Sequence, residues 1–414
     1  MNKVSVKTAW KGAVSSKRFY RFLTVQVVVL SVLMVAFTGC QKKEDNTVKI
    51  GLLHSLSGTM AISEKSVRDS ELLAIKEINE AGGVLGKQIV VVEKDGASDP
   101  RTFAERAEEL LTQDKVVSVF GCWTSASRKA VLPVFEQYYG LLWYPVQYEG
   151  MEASPNIMYM GASPNQQVIP AVDYCAKNFG KRMYLIGSDY VFPRTANRII
   201  KAQLASFEGE CVGEKYVPMG HTDFDTVIEE IKLEKPDVII NSLNGDSNIY
   251  FFEQLAQAGI TAETIPVMSF SISEEEVNAV GVEYLKDNLV AWNYYETTNT
   301  DKNAKFVSDY KTEYGNNRVT GDPIEAGYIA VHMWARACQK AGSFDVEAVR
   351  IAAKGLSFTA PEGIVTIDGE NQHLFKQVRI GRINEEGLID EIWATPGAIK
   401  PDPYLSTYDW ARGL

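Results

Sequence analysis

The sequence predicts an α/β protein of two doubly wound, mostly parallel-sheet lobes joined by a hinge. Two patterns predict it. Short β-rich runs alternate with amphipathic helical ones along the chain, and that rhythm restarts midway. Alternation of this kind means βαβ units, with helices on both faces of a mostly parallel sheet. Length agrees, because about 375 residues follow the N-terminal segment, enough for two domains of ordinary size.

The first lobe opens with the buried strand Val48–Leu53, followed by a helix from about Glu64 to Ala81 that stops at Gly82-Gly83. Ile89–Glu93 is the next strand. A helix over Pro100–Gln113 follows it, with Asp99 placed as its cap. Val116–Phe120, a helix from about Ser125 to Tyr139, and Leu141–Tyr144 complete this half. The second series alternates helices (165–179, 194–207, 223–234, 248–258) with strands (183–186, 212–217, 238–241, 267–270). Two further helices, about 304–314 and 324–341, precede strands at 363–367, 374–380 and 389–393. The expected N-terminal lobe is therefore residues 48–160 plus about 293–360. The C-terminal lobe is 161–292 plus about 361–395, and 396–414 is an irregular tail. Hinge crossings are expected near Met160, Trp292 and Gly363.

The N-terminus sets the compartment. Residues 1–21 hold six basic side chains and no acidic ones, and a fifteen-residue apolar run from Phe22 to Ala36 follows. That is a secretory signal over residues 1–39, short for a bilayer span of roughly 20 residues. Phe37-Thr38-Gly39-Cys40 resembles the lipobox of bacterial lipoproteins, departing from it at Phe37. The resemblance implies that Cys40 is lipidated and begins the mature chain, with residues 40–47 as a tether. One acyl chain anchors only marginally, so a multiply acylated Cys40 is the sensible tether. The expected location is the outer face of the cytoplasmic membrane or the periplasm, with the membrane contacted through the lipid alone.

The net charge is −11, and about −17 without the six basic residues of the signal. Such a surface repels nucleic acid and anionic headgroups. Cys122, Cys175, Cys211 and Cys338 are scattered without paired spacing, which gives no support for a structural zinc site. They are either free buried thiols or, in part, one disulfide. Ala81–Lys87 lacks the phosphate-loop spacing and ends a helix rather than opening one, and no hydrolase or metalloprotease motif occurs. A Cys-based amide hydrolase from Cys122, Glu149 and a lysine is the catalytic alternative. The plainer reading has Cys122 filling a small apolar space after a buried strand. The expectation is a non-enzyme with no catalytic residue, cofactor or metal.

In open α/β sheets, ligands bind beyond the carboxyl ends of strands, where helix N-termini offer free N–H groups. In the first lobe those positions hold His54–Thr59, Gly121–Arg128 and Tyr144-Pro145-Val146-Gln147-Tyr148-Glu149-Gly150. In the second they hold Gly187–Tyr190, Asn241–Asp246 and Ser269–Ser271. Hydroxyls, aromatic rings and a few carboxylates dominate. Phosphorylated or strongly anionic ligands would want more Arg and Lys. Arg128 and Lys129 lie a turn into their helix, where they face its surface or make a structural pair.

The first of these segments, with Gly82-Gly83 and the two-lobe rhythm, resembles the periplasmic binding proteins of the branched-chain amino acid type, over nearly the whole chain. The run from Gly121-Cys122-Trp123-Thr124-Ser125 to Pro133, Tyr144-Pro145 through Glu149-Gly150, and Gly187-Ser188-Asp189-Tyr190 are more specific. Together with Leu243–Asn248 and Asp402-Pro403-Tyr404 they resemble the urea and short-chain amide subgroup. That likeness implies a type I binding fold, two lobes closing over a solute, and delivery to the permease of an ATP-driven importer. The chemistry agrees. Urea is flat and neutral, with four N–H donors and one carbonyl, and each donor left dry and unpaired costs about 1–3 kcal/mol. Ser57, Gly58, Thr124 and Ser125 are candidates for the carbonyl. Glu149, Asp189 and Asp246 are candidates for the amino groups, Asn244 is a further ligand-binding candidate, and Trp123, Tyr144, Tyr148 and Tyr190 are candidates for enclosing the plane. Each has a plainer use: Ser57 and Thr124 as helix caps, Tyr144 and Tyr148 as packing, Glu149 as a partner for Arg194. Alternatives are another short-chain amide, an amino acid, or an amide sensor without transport.

Overall fold

The computed structural model describes residues 46–414; the signal-like segment and Cys40 lie outside the described residues. Thr47–Leu414 form one compact unit. Its first half alternates β1 (Thr47–His54), α1 (Ala61–Glu80), β2 (Gln88–Asp95), α2 (Pro100–Glu109), β3 (Val119–Gly121), α3 (Ser125–Gln137), β4 (Leu142–Tyr144) and β5 (Ile157–Tyr159). These strands make an all-parallel sheet in the order β2-β1-β3-β4-β5. Local chemistry fixes the helix ends. Asp99 accepts the Thr102 N–H at 2.8 Å ahead of Pro100, and Gly82 and Gly83 stop α1 in positive φ, as expected.

The second half runs α4 (Val168–Asn178), β6 (Arg182–Ser188), α5 (Val191–Ser206), β7 (Glu210–Val217), α6 (Asp225–Glu234), β8 (Val238–Ser242) and α7 (Ser247–Gln257). It continues with β9 (Val267–Ser269), α8 (Glu274–Val280), α9 (Val282–Leu285) and β10 (Leu289–Trp292). Then α10 (Asp301–Tyr314), α11 (Asp322–Ala341) and α12 (Val346–Ala353) return to the first lobe, where α11 packs along α1. The hairpin β11 (Ser357–Ala360), β12 (Gly363–Ile367) and β13 (Leu374–Phe375) follows, before β14 (Arg379–Ile383) and β15 (Ile389–Ala394) close the second sheet. That sheet has seven strands in the order β15-β14-β10-β9-β8-β6-β7, with β14 and β15 antiparallel. Both faces of each sheet are buried, which explains the continuous apolar runs in the strands.

The structure differs from expectation at two places. Residues 361–375 were expected in the second lobe, yet Val365, Ile367 and Leu374 bury in the first lobe's core beside Ile50 and Trp334. Three β-rich stretches form a meander that covers apolar surface left open by α11, so they go where that surface is. The third crossing consequently falls near Lys376 rather than Gly363. There Lys376 Nζ lies 2.9 Å from Glu362 and donates to Met160 O at 3.2 Å, while Asn293 Nδ2 donates to Gln166 O and Gln377 O. All three crossings are thereby tied to one another. The tail is irregular but not loose: Leu405 and Ala411 pack into the second lobe's core. Cys122, Cys175, Cys211 and Cys338 are free thiols. No described helix is long and apolar enough to cross a membrane.

Candidate functional site

The carboxyl ends of both sheets face a cleft that is shut in this structure. Thr59 Oγ1 donates to Asp246 on the second lobe, Ser63 Oγ to Glu276 at 2.6 Å, and Ser66 Oγ to Glu275 at 2.7 Å. On the other side Gln147 Nε2 donates to Phe270 O at 2.8 Å, and α3 packs against α5. What lies between is built from loops.

The loop after β3 is the tightest. Gly121 has φ +131° and a Cβ there would sit 2.1 Å from Leu53 O, so only glycine lets the chain turn beside β1. Cys122 follows in the left-handed region with φ 62°. Thr124 then caps α3, accepting the Ser127 N–H at 3.0 Å. Trp123 is 4% exposed, and its Nε1 is a buried donor without a hydrogen-bond partner. Its backbone O accepts the Tyr144 hydroxyl at 2.5 Å, which joins the loops after β3 and β4.

Beneath these loops lies a buried ion network. Arg128 is fully buried and donates from Nε to Glu152 at 2.7 Å, from Nη2 to Glu149 at 3.0 Å, and from Nη1 to Ser125 Oγ at 2.8 Å. Ser125 Oγ in turn donates to Glu149, and Lys129 reaches Glu152 at 2.7 Å. The guanidinium stands over the Tyr144 and Tyr148 rings at 5.1 and 4.7 Å. Burial disfavours ionisation of Glu152, but Arg128 and Lys129 outweigh it and hold the carboxyl down to about 2. The network is two cations on two carboxylates, neutral as a whole. Tyr190, from the second lobe, is within electrostatic reach of Tyr144, Glu149 and Arg128, and burial pushes its phenol well above the usual range.

The structure thus brings Trp123, Ser125, Tyr144, Glu149, Tyr190 and, at the rim, Asp246, bonded to the Thr59 beside Gly58, to the interlobe region. Others are engaged elsewhere. Asp189 is exposed and paired with Arg194 at 2.6 Å; the second-lobe carboxylate, not Glu149, takes that arginine. Tyr148 stacks on Tyr159 and His373, and its hydroxyl meets Glu152 O and His373 Nε2. Ser57 is exposed and donates to Asp95 at 2.7 Å, and the Thr124 hydroxyl is spent on its cap. Asn244 Nδ2 donates to Ser242 O. In each case a nearer intramolecular partner takes the group. As a nucleophile Cys122 is poorly placed, since burial and the neighbouring Glu64 push its thiol far up.

Gln147, outside the candidates drawn from the sequence, is buried and bridges the lobes. Its position after a strand was visible in the sequence; its reach to Phe270 depends on lobe geometry, which was not. His54 ends β1 fully buried with Nε2 2.8 Å from Glu71; burial opposes its charge, but Glu71 and Glu64 outweigh it and raise it to about 9. Among the described residues no His, Cys, Asp or Glu group could hold a metal ion. Two depressions of about 510 and 530 Å³ are lined by the tail, α4 and β15, not by the strand-end loops.

Two α/β lobes shut over such loops define a two-lobed binding protein. A family model described as periplasmic binding protein domain matches residues 48–409, and the chain belongs to that family. Its place of work is therefore outside the cytoplasm. Leu/Ile/Val-binding protein homolog 6 of Brucella melitensis is 22% identical over 366 residues, spanning 86% of this chain and 92% of the relative. Among solved structures, an ABC-transporter solute-binding protein from Rhodopseudomonas palustris in complex with 3,4-dihydroxybenzoic acid superposes with TM-score 0.78. The two are 25% identical, over 86% of this chain and 98% of the other. A leucine-binding protein from Thermotoga maritima gives 0.72 at 22% identity, over 84% and 98%. These relatives are binding proteins, not enzymes.

Proposed function

We propose that this protein captures urea between its lobes and delivers it to the permease of an ABC importer. The observation that carries the reading is the internally neutral network of Arg128, Lys129, Glu149 and Glu152 beneath the loops. The relatives' ligands, leucine and hydroxybenzoic acids, carry a carboxylate that calls for a cation or several donors. Here the cation packed among the loops is already matched by two carboxylates. What remains is the unmet Trp123 Nε1 donor, suited to a carbonyl, with the Tyr144 and Tyr190 rings nearby. That inventory suits a small neutral amide.

A melting panel tests the reading. Ligand that binds only the folded protein stabilises it by about 2.7 kcal/mol at a hundredfold excess over Kd. Urea far below denaturing concentration raises Tm, and leucine and 4-hydroxybenzoate leave it unchanged. Stabilisation by leucine alone overturns the assignment. The lipid anchor is tested separately: Cys40→Ala moves the protein from the membrane to the soluble fraction, and persistence on membranes contradicts the anchor.

A further inference from the structure

Gln147 uses its carboxamide on one side only. Nε2 donates to Phe270 O at 2.8 Å and stands 3.5 Å from Ser271 Oγ, whereas Oε1 is buried without a hydrogen-bond partner. The opposite amide orientation would set Oε1 against the Phe270 carbonyl, acceptor against acceptor. That carbonyl is itself fixed, because Gln167 Nε2 donates to it at 3.2 Å and to Ala291 O at 2.7 Å. The Gln147 backbone is held as firmly. Gly161 runs so close that a Cβ there would lie 2.0 Å from the Val146 carbonyl carbon and 2.3 Å from the Gln147 nitrogen. The Tyr144 hydroxyl, 2.5 Å from Trp123 O, is also 3.4 Å from Gln147 O. One phenol therefore pins two loops, and each carries a dry polar atom with no partner: a donor on Trp123 and an acceptor on Gln147. A carbonyl and an adjacent N–H are the complement of that pair.

We infer that Gln147 is a specificity-determining residue of the interlobe site, whose Oε1 accepts an N–H of the bound amide while its Nε2 holds the second lobe. This rests on the neutral-amide reading above. It assigns the choice of amides over carbonyl compounds and acids to one side chain. A ligand without an N–H leaves Oε1 unpaired, and a ligand carboxylate sets lone pairs against it. It also couples recognition to closure, because the amide that reads the ligand is the one that grips Phe270.

The test is a calorimetric series of urea, acetamide and acetone, in which methyl replaces amino with little change in size. It is run on the wild type, Gln147→Leu and Gln147→Glu. The wild type discriminates acetamide from acetone by about 5- to 150-fold, the range set by one unmet buried group. Gln147→Leu loses a similar factor for urea and no longer separates acetamide from acetone. Gln147→Glu keeps an acceptor and so keeps the discrimination, but it repels the Phe270 carbonyl and binds every ligand more weakly. If Gln147→Leu does not fold, the Glu variant carries the test alone. Equal weakening of all three ligands in the Leu variant, with the wild-type ratio retained, or loss of that ratio in the Glu variant, assigns Gln147 a structural role and overturns the inference. A wild type that binds neither urea nor acetamide fails the neutral-amide reading, and the inference falls with it.

Discussion

At the residue scale, ligand choice turns on which polar groups are spent inside the protein and which are left over. Ser125, Arg128, Glu149 and Glu152 satisfy one another, and such a network is costly to break. Removing one partner of a buried ion pair typically costs about 3–5 kcal/mol, because the other charge is left unpaired. Trp123 Nε1 is left over. Trp123→Phe removes that donor together with the smaller ring of a buried indole, so it should weaken urea binding by about 1–3 kcal/mol and also lower the unliganded melting temperature. Calorimetry beside a melt checks it; unchanged affinity would show that the indole N–H meets no ligand. The residue types of this site were legible in the sequence, since strand-end positions drew attention to Trp123, Tyr144, Glu149 and Tyr190. Their partners were not. That Asp189 takes Arg194, or that Tyr148 stacks on His373, depends on contacts between segments far apart in the chain.

At the element scale the strand-end loops set the precision of the site. Gly121 lets β3 end against Leu53 O, so that Cys122 turns the chain and Thr124 is in place to cap α3. Gly121→Ala combines a φ of +131° with a Cβ 2.1 Å from a carbonyl oxygen, so strain alone costs about 1–3 kcal/mol and the loop must shift. The denaturant midpoint should fall together with urea affinity; a variant as stable as the wild type would contradict the close packing. The longer elements were readable because their periodicity is strong and their ends are marked, as at Asp99-Pro100 and Gly82-Gly83. Short β5 (Ile157–Tyr159) and β11 (Ser357–Ala360) were not. Ile157–Tyr159 and Ser357–Ala360 carry too little pattern of their own to declare a strand, and the neighbouring strands supply their partners. The misplacement of 361–375 has the same origin, because which sheet a short meander covers is decided by exposed apolar area, not by its own sequence.

At the scale of the whole molecule the lobes meet through hydroxyls of one and carboxylates of the other. Ser63 and Ser66 on α1 donate to Glu276 and Glu275 at the start of α8, with Arg318, Asp69, Glu274 and Ser273 around them. Burial pushes Glu275 and Glu276 above the usual carboxylate range in this shut arrangement, against the pull of Arg318 and the serine hydroxyls. Opening the lobes returns both to water. The closed form therefore binds protons better than the open one, and closure gains as pH falls and loses as pH rises through the raised values. Ligand affinity should strengthen from pH 8 toward mildly acidic pH, and Ser63→Ala with Ser66→Ala should change that slope. A flat pH profile in the wild type would show that this latch does not contribute to binding.

Calorimetric titration of the purified protein with urea and leucine, side by side, tests the central claim most directly. A neutral-amide site predicts saturable binding of urea, with a negative heat-capacity change as the lobes close, and little heat with leucine. Tighter binding of leucine than of urea would contradict it.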